Sequence, residues 1–167
     1  MSNDKVHNPI VGVVMGSSSD WEIMKHATII LEKFSIPFKA EVLSAHRMPD
    51  DMFDYSHKAY NRGLRAIIAG AGGAAHLPGM IASMTDVPVF GVPIPSKYLN
   101  GQDSLLSIVQ MPKGIPVATF AIGESGAYNA ALHVIAFFSM NNEKIRNELL
   151  NFRNEQSEIA RNMKVQL

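Results

Sequence analysis

The 167-residue sequence contains no cysteine, and its 15 Lys and Arg residues balance its 15 Asp and Glu residues. The lack of cysteine excludes a disulfide framework, a thiolate nucleophile and a zinc site built on cysteine. The lack of net charge gives no electrostatic reason to bind a nucleic acid backbone or an anionic membrane surface. We therefore expect a small-molecule substrate and neither a nucleic acid nor a membrane partner.

Long apolar segments are also scarce. The longest uncharged run near the middle, residues 66–85, has spanning length but contains four glycines, one proline and one histidine, so it predicts a strand, a loop and a helix start. The first nine residues are polar and lack an apolar signal core. We expect one catalytic domain over residues 1–167, located in the cytoplasm.

Charged residues are unevenly spread along the chain. Residues 63–120 carry only five of them, Arg65, Asp86, Lys97, Asp103 and Lys113, whereas about 25% of the residues of an ordinary domain are charged. So few charges cannot cover much wetted surface. This stretch is predicted either to form the centre of the domain or to be covered by other subunits.

Short apolar runs followed by Gly, Pro or Ser predict central parallel strands at residues 10–15, 66–69, 87–92 and 117–122. A fifth run, residues 38–43, includes Lys39 and Glu41 and has the pattern of an edge strand. Helical patterns lie between the runs. Together they predict an α/β, flavodoxin-like three-layer sandwich with a parallel sheet of order 2-1-3-4-5.

The last segment, about residues 142–164, predicts a C-terminal helix. Its apolar residues form a narrow stripe among mixed charges: Ile145, Leu149, Phe152, Ile159 and Met163. The stripe can pack on the chain's own sheet or on a neighbouring subunit, and the sequence leaves both alternatives open.

Ligands of doubly wound sheets bind beyond the carboxyl ends of the strands, which selects three loops. The first loop, Gly16 to Asp20, offers serine hydroxyls and backbone N–H groups to a single phosphate at a helix start. No Walker lysine follows, so a triphosphate is not expected. Alternatively, Ser19 or Asp20 caps the helix, and the two roles can coexist.

The second loop contains His46 beside Arg47, just before a helix that Pro49 can start. Histidine can carry a proton and arginine can bind an anion. The adjacent pair is therefore either a catalytic feature or an ordinary surface feature.

The third loop, Gly70 to Gly79, leaves backbone N–H groups bare and leaves room for a flat ligand beside His76. Its G-x-G-x-x-A pattern is a weak dinucleotide signal, because no acidic residue follows at the ribose-binding spacing. Close packing of a helix on the sheet is the alternative explanation for the small residues.

Other chemistries lack the necessary parts. The sequence Gly123-Glu124-Ser125-Gly126 is not a nucleophile elbow, and no histidine pair has the H-E-x-x-H spacing of a metal site. We expect neither a serine hydrolase nor a metal enzyme.

Three motifs together closely resemble the catalytic-subunit family of phosphoribosylaminoimidazole carboxylase. They are GSSSDW at residues 16–21, SAHRMP at residues 44–49 and AGAGGAAHLPGM at residues 69–80. They are most similar to the class I members, the N5-carboxyaminoimidazole ribonucleotide mutases, and the similarity covers about residues 10–155.

The resemblance implies an isomerase of purine biosynthesis that moves a carboxylate from the exocyclic nitrogen of a phosphorylated aminoimidazole ribonucleoside to ring carbon C4. It also implies that the enzyme needs no cofactor and forms a homo-octamer. By matching position, Ser17, Ser19 and Arg47 would bind the phosphate and Asp20 the ribose, while His46 would carry the proton. The remaining substrate-binding residues that it implies are Ser44 and, around the base and carboxylate, Gly72, Gly73, Ala74, His76 and Leu77.

Two other functions stay open. A sister class with the same fold carboxylates aminoimidazole ribonucleotide directly with CO₂, but its glycine loop differs from the Ala-His-Leu-Pro-Gly form found here. The second is a non-catalytic flavodoxin-like binding or receiver module. A receiver would need an acidic cluster after the first strand and an Asp after the third, where this chain has serines and glycines.

Overall fold

The computed structural model describes residues 8–165, in which strands and helices alternate. The strands are β1 Val11–Met15, β2 Phe38–Val42, β3 Ala66–Gly72, β4 Val89–Ile94 and β5 Ala118–Thr119. The helices are α1 Trp21–Lys33, α2 Pro49–Lys58, α3 Leu77–Ala82, α4 Gln102–Val109, α5 Glu124–Ser139 and α6 Glu143–Arg161. A 3-10 helix, Ser18–Asp20, precedes α1.

The five strands form one parallel sheet in the order β2-β1-β3-β4-β5. The predicted fold class and strand order are therefore confirmed. The central strands are buried almost throughout, because helices cover both faces of the sheet. One core lies under α1 and α5, and the other lies under α2, α3 and α4.

The two strands that carry the glycine loop and its neighbour run further than the sequence predicts. β3 continues through Gly72, which pairs with Ile94 of β4, although glycine usually weakens a strand. β4 includes Pro93, which is tolerated because β5 pairs with β4 only at Phe90 and Gly91. Both strands therefore end closer to the candidate site, which lies at the carboxyl ends of the strands.

The fifth strand differs from the prediction. A central strand over residues 117–122 was expected, but β5 contains only Ala118 and Thr119 and lies at the edge of the sheet. Neither residue is fully buried. The chain leaves the sheet once the Phe120 N–H has bonded to the Gly91 carbonyl, and Gly123 then begins the turn into α5.

The C-terminal helix begins after Asn142, whose side chain accepts a hydrogen bond from the Ile145 N–H at 3.1 Å. Its first half packs on the chain's own helices, with Leu149 and Phe152 buried and the Phe152 ring 5.8 Å from that of Phe34. From residue 153 to residue 165, every side chain is exposed. Contact of this second half with a neighbouring subunit stays a prediction.

The charge-poor stretch over residues 63–120 supplies the two central strands β3 and β4. It also carries exposed apolar side chains on and before α4, including Tyr98, which is 84% exposed, and Leu106, which is 63% exposed. Among residues 8–165, no helix is both long enough and apolar enough to span a membrane.

Candidate active site

A cleft of about 460 Å³ lies at the carboxyl ends of the parallel strands β1 to β4. This is the edge where ligands bind in doubly wound sheets. We call residues 16–20 and 44–47, which follow β1 and β2, the polar wall. We call residues 71–77 and 94–96, at the ends of β3 and β4, the glycine wall.

The loop after β1 is held by its own side chains. The Ser17 hydroxyl caps the 3-10 helix by accepting a hydrogen bond from the Ser19 N–H at 3.3 Å, and it accepts a second from the Ser19 hydroxyl at 2.9 Å. In return, the Asp20 carboxylate accepts from the Ser17 N–H at 3.1 Å, which completes a capping box. The capping hydroxyl is thus that of Ser17 and not that of Ser19 as predicted, and Asp20 precedes α1 without a side-chain cap there. Ser17 and Asp20 both lie on the surface of the cleft.

The acidity of Asp20 is shifted by its surroundings in the polar wall. Burial raises the pKa of Asp20 above its ordinary value, although hydrogen bonds from Ser17 and Ser19 and the charge of Arg47 act in the opposite direction. Desolvation is the larger effect. A ligand hydroxyl that donates to this carboxylate would replace part of the lost hydration.

Arg47 joins the two loops of the polar wall. Its Nε donates to the hydroxyl of the buried Ser44 at 3.1 Å, and its Nη2 donates to the Gly16 carbonyl at 2.9 Å. These bonds fix the guanidinium plane beside the serine loop. The arrangement suits a phosphate, since a guanidinium has five N–H donors and two of them make these internal bonds.

His46 and His76 meet across the cleft. His46 Nε2 lies 2.9 Å from His76 Nδ1, and the two rings are nearly perpendicular at 86° with their centroids 5.0 Å apart. One ring must donate and the other must accept, so the pair holds a proton between the polar wall and the glycine wall. Both rings are exposed to the cleft.

The glycine wall presents backbone and small side chains. Gly73 adopts a left-handed φ of +68°, and a Cβ at this position would have no heavy atom within 4 Å. At Gly72 a Cβ would lie 3.4 Å from the Ile94 Cβ, so the two strand ends approach closely. Ala74 and the buried Leu77 complete this side. The wall leaves open space for a flat group beside the histidine pair.

The structure brings ten of the eleven predicted site residues to the surface of this cleft: Ser17, Asp20, Ser44, His46, Arg47, Gly72, Gly73, Ala74, His76 and Leu77. Ser19 stands behind them and donates to the Ser17 hydroxyl. Among residues 8–165, no three His, Asp or Glu side chains are grouped closely enough to hold a metal ion.

Sequence comparison identifies the family. The profile of the AIR carboxylase family matches residues 10–159. The chain belongs to this family. The resemblance predicted from the three loop motifs is thereby confirmed.

Several AIR carboxylase relatives are closely similar to this chain. The N5-carboxyaminoimidazole ribonucleotide mutase of Bacillus subtilis is 57% identical over 141 residues, which cover 84% of this chain and 87% of the relative. The mutase of Saccharolobus solfataricus is also 57% identical, over 86% of this chain and 90% of that protein. A crystal structure of Treponema denticola PurE superposes with a TM-score of 0.81 at 25% identity, covering 91% of this chain and 94% of that one.

One part of this AIR carboxylase cleft was not predicted from the sequence. Ile94, Pro95 and Ser96 line it from the end of β4. The rule that selected the first three loops applies equally to this one, and the proline after the strand was the available signal. Its polar member, Ser96, donates to the Asp103 carboxylate at 2.6 Å.

Three other histidines lie on helices outside the cleft. His26 lies 3.6 Å from the Glu124 carboxylate, His57 stacks on Phe53, and His133 packs near the ring of Phe120. None of the three lines the cleft. They serve as reference positions for substitutions of His46 and His76.

Proposed function

We propose that this chain is an isomerase of purine biosynthesis that converts N5-carboxyaminoimidazole ribonucleotide into 4-carboxyaminoimidazole ribonucleotide. The observation that carries the proposal is the His46–His76 pair, 2.9 Å apart between an arginine-containing wall and a glycine wall. The mutases of B. subtilis and S. solfataricus, each 57% identical to this chain, support the choice of substrate.

The polar wall would bind the ribose phosphate. Ser17 and the N–H groups of Arg47 offer hydrogen bonds beside the start of α1, and Ser19 would orient the Ser17 hydroxyl. Asp20 would accept from a ribose hydroxyl. Buried Ser44 would act through the guanidinium that it orients at 3.1 Å.

The glycine wall would enclose the aminoimidazole ring and the carboxylate. Gly72, Gly73 and Ala74 present no side chain beyond a methyl group, and Leu77 supplies an apolar floor. A flat base fits such a surface, and the exclusion of water keeps a released CO₂ near the ring.

The chemistry needs one group that first gives and then takes a proton. As the N–COO⁻ bond breaks, CO₂ leaves and protonated His46 donates a proton to the exocyclic nitrogen. C4 of the aminoimidazole then attacks the same CO₂, and the neutral imidazole removes the proton from C4. The proton count closes, so no external acid or base is required, and imidazole suits both roles near neutral pH.

His76 would keep the His46 ring in place and accept or supply the shared proton between these two steps. The 2.9 Å contact allows a proton to move between the rings without solvent. His76 also faces the space for the carboxylate, so a protonated ring there would attract the negative charge.

The test is a conversion assay on the purified chain with no ATP and no added metal. We expect N5-carboxyaminoimidazole ribonucleotide to be converted faster than aminoimidazole ribonucleotide is carboxylated in bicarbonate buffer. The reverse preference would favour direct carboxylation, which the family name AIR carboxylase describes. Inertness towards both ribonucleotides, in a protein that binds inorganic phosphate, would favour a binding module.

We further propose that the chain works as a homo-oligomer, and an octamer is the expectation. Exposed apolar side chains support this: Tyr98, Leu99, Leu106, Phe137 and Met140. Large apolar side chains left exposed in this way are typical of surfaces that a neighbouring subunit covers. Light scattering at micromolar concentration should give a particle several times heavier than the 18.3 kDa chain, and an 18.3 kDa particle would contradict the proposal.

A further inference from the structure

Ser104 is a fully buried serine on α4, and its hydroxyl bonds to two other segments of the chain. It accepts from the Gly73 N–H at 2.9 Å and donates to the Ile94 carbonyl at 2.7 Å. Gly73 lies 31 positions earlier in the chain, and both partners belong to the glycine wall.

These bonds are formed where the sheet can no longer hold the chain. The β3–β4 ladder ends with the pair Gly72 and Ile94. The next N–H, that of Gly73, would have no strand partner, and a buried N–H without an acceptor is costly. Beyond this pair, the Ser104 hydroxyl supplies the hydrogen bonds and joins the ends of both strands to α4.

A second serine contacts the other backbone group of Gly73, its carbonyl, which belongs to the next peptide group. The Ser107 hydroxyl lies 3.3 Å from the Gly73 carbonyl and 2.7 Å from the Asp103 carbonyl. The Gly73 carbonyl also accepts from the Ala75 N–H at 2.8 Å. The N–H side of Gly73 therefore depends on Ser104, whereas its carbonyl has two donors.

The Gly73 peptide sets the direction of the chain that carries His76. Gly73 is in the left-handed region, where a small change of φ redirects the following residues. Three residues later, the His76 ring must reach within 2.9 Å of His46 Nε2. A displacement of about 1 Å at a reacting group can cost about 100-fold in rate.

We propose that Ser104 is a positioning residue for the reaction: by joining Gly73 to Ile94, its hydroxyl sets the glycine wall at the distance at which His76 meets His46. The inference rests on the proposed function for its rate prediction. Ser104 does not itself line the cleft, so it acts through the wall and not on the substrate.

The experiment compares Ser104→Ala with Ser56→Ala in the intact protein. Ser56 is also fully buried on a helix, but its hydroxyl donates to the Met52 carbonyl of the same helix, at 2.7 Å. Both variants lose one buried hydroxyl, but only Ser104→Ala removes hydrogen bonds to the glycine wall. Activity is measured well below the unfolding temperature of either variant.

We expect Ser104→Ala to lower kcat by about tenfold or more, with KM and the affinity for inorganic phosphate near the wild-type values, because the polar wall is unchanged. Ser56→Ala should keep the wild-type kcat. Equal effects of the two substitutions on kcat, or an effect of Ser104→Ala on KM alone, would overturn the proposal.

The histidine pair gives a readout that does not depend on activity. In protein labelled with ¹⁵N-histidine, the imidazole spectrum should show a donor and an acceptor nitrogen in hydrogen-bond contact, and Ser104→Ala should weaken that contact. An unchanged pair in Ser104→Ala would overturn the proposal even if the conversion assay supports the function. A weakened pair in a chain that lacks mutase activity would support the positioning role and reject the function.

Should Ser104→Ala fail to fold, Ser104→Cys takes its place. The thiol fills the same site but is a weak donor and a weak acceptor. We expect it to fold, to lower kcat less than the alanine change would and to weaken the histidine contact. A cysteine variant with the wild-type kcat and the wild-type imidazole spectrum would contradict the role of the hydroxyl.

Discussion

The polar wall and the glycine wall face each other across one cleft but are built in different ways. In the polar wall, functional side chains also hold the loops: Ser17 caps a helix, and Arg47 joins two loops by bonds to Ser44 and Gly16. In the glycine wall, Gly72, Gly73 and Ala74 have almost no side chains with which to hold the loop, and Ser104 and Ser107 of α4 bond to its backbone at Gly73 instead.

This difference separates two kinds of substitution. We expect a change at Ser17 or Arg47 of the polar wall to remove a proposed phosphate contact and a structural bond together, so binding should weaken first. We expect a change at Gly73, or at Ser104 behind it, to leave the proposed phosphate contacts in place and to alter distances, so turnover should fall first. The two histidines belong to one wall each and should show the largest effects.

His46→Ala removes the contact between the two walls most directly. We expect kcat to fall by about 100-fold or more, because a general acid or base contributes about that much. The fold should be kept, since His46 is exposed. Turnover assays with His57→Ala as the matched control check this, because His57 is an exposed histidine outside the cleft. Near-normal turnover of His46→Ala would show that another group carries the proton.

The binding role of the polar wall is tested by Arg47→Ala. We expect KM to rise by about 10- to 100-fold, the usual range for lost hydrogen bonds to a charged group, with a smaller effect on kcat. Arg47→Lys should restore only part of the affinity, because the planar guanidinium is lost. Arg65→Ala is the control, since Arg65 donates to the backbone carbonyl of Leu64 outside the cleft. Phosphate bound elsewhere in a crystal soak would contradict the assignment.

The shape of the glycine wall is tested by Gly73→Ala. The new methyl group meets no atom within 4 Å, but the left-handed φ of +68° strains any residue with a Cβ. We expect a loss of about 1 kcal/mol in stability. Gly63→Ala also introduces a Cβ at a positive φ, here +94°, in open space outside the cleft, so its loss of stability should be comparable. Only Gly73→Ala should also lower kcat, by a few fold, and equal turnover of the two variants would remove the glycine wall from the account.

The smallest expected effect concerns the acidity of Asp20. The pKa of Asp20 is raised in the folded state, so the folded protein binds more protons than the unfolded chain between pH 3.8 and that raised value. The stability of the folded protein therefore falls as the pH rises through this interval. Asp20→Asn removes this cost and keeps an oxygen for the Ser17 N–H. Its stability relative to wild type should therefore be higher at pH 7 than at pH 3, as measured by denaturant unfolding.

Glu22→Gln is the control for the Asp20 prediction and should give the opposite sign. The hydrogen bond from Lys25 lowers the pKa of the exposed Glu22. Its ionised form therefore stabilises the fold above its unfolded pKa, and the stabilisation is lost as pH falls through the lowered value. The same trend for both variants would mean that burial does not dominate at Asp20.

The sequence predicted the features that depend on local pattern. Apolar runs located β1, β2, β3 and β4 and their order, and the rule for carboxyl ends selected the three loops that line the cleft. The individual residues of these loops were mostly assigned from the resemblance to the family. The prediction failed at the fifth strand, where the apolar run over residues 117–122 mostly packs without pairing. Pairing depends on the neighbouring strand, and β4 offers only Phe90 and Gly91.

The hydrogen bonds that support the glycine wall could not be predicted from sequence patterns, because they also depend on partners that are distant in the chain. A serine within a short amphipathic helix gives no local signal of its partner, and Ser104 meets Gly73 across 31 positions. The packing of α6 is similar, since its apolar stripe runs along the helix with an interruption at Gln156, but only Leu149 and Phe152 are buried.

We propose, as the central claim, that the two walls form one compartment in which a carboxylate leaves the exocyclic nitrogen and is transferred to C4. The most direct measurement follows ¹³C in the carboxylate of N5-carboxyaminoimidazole ribonucleotide during turnover in unlabelled bicarbonate. We predict that most of the label reaches the C4 carboxylate of the product, because recombination in a closed cleft outruns the escape of CO₂. Complete exchange of the label with the bicarbonate pool in every turnover would contradict the claim.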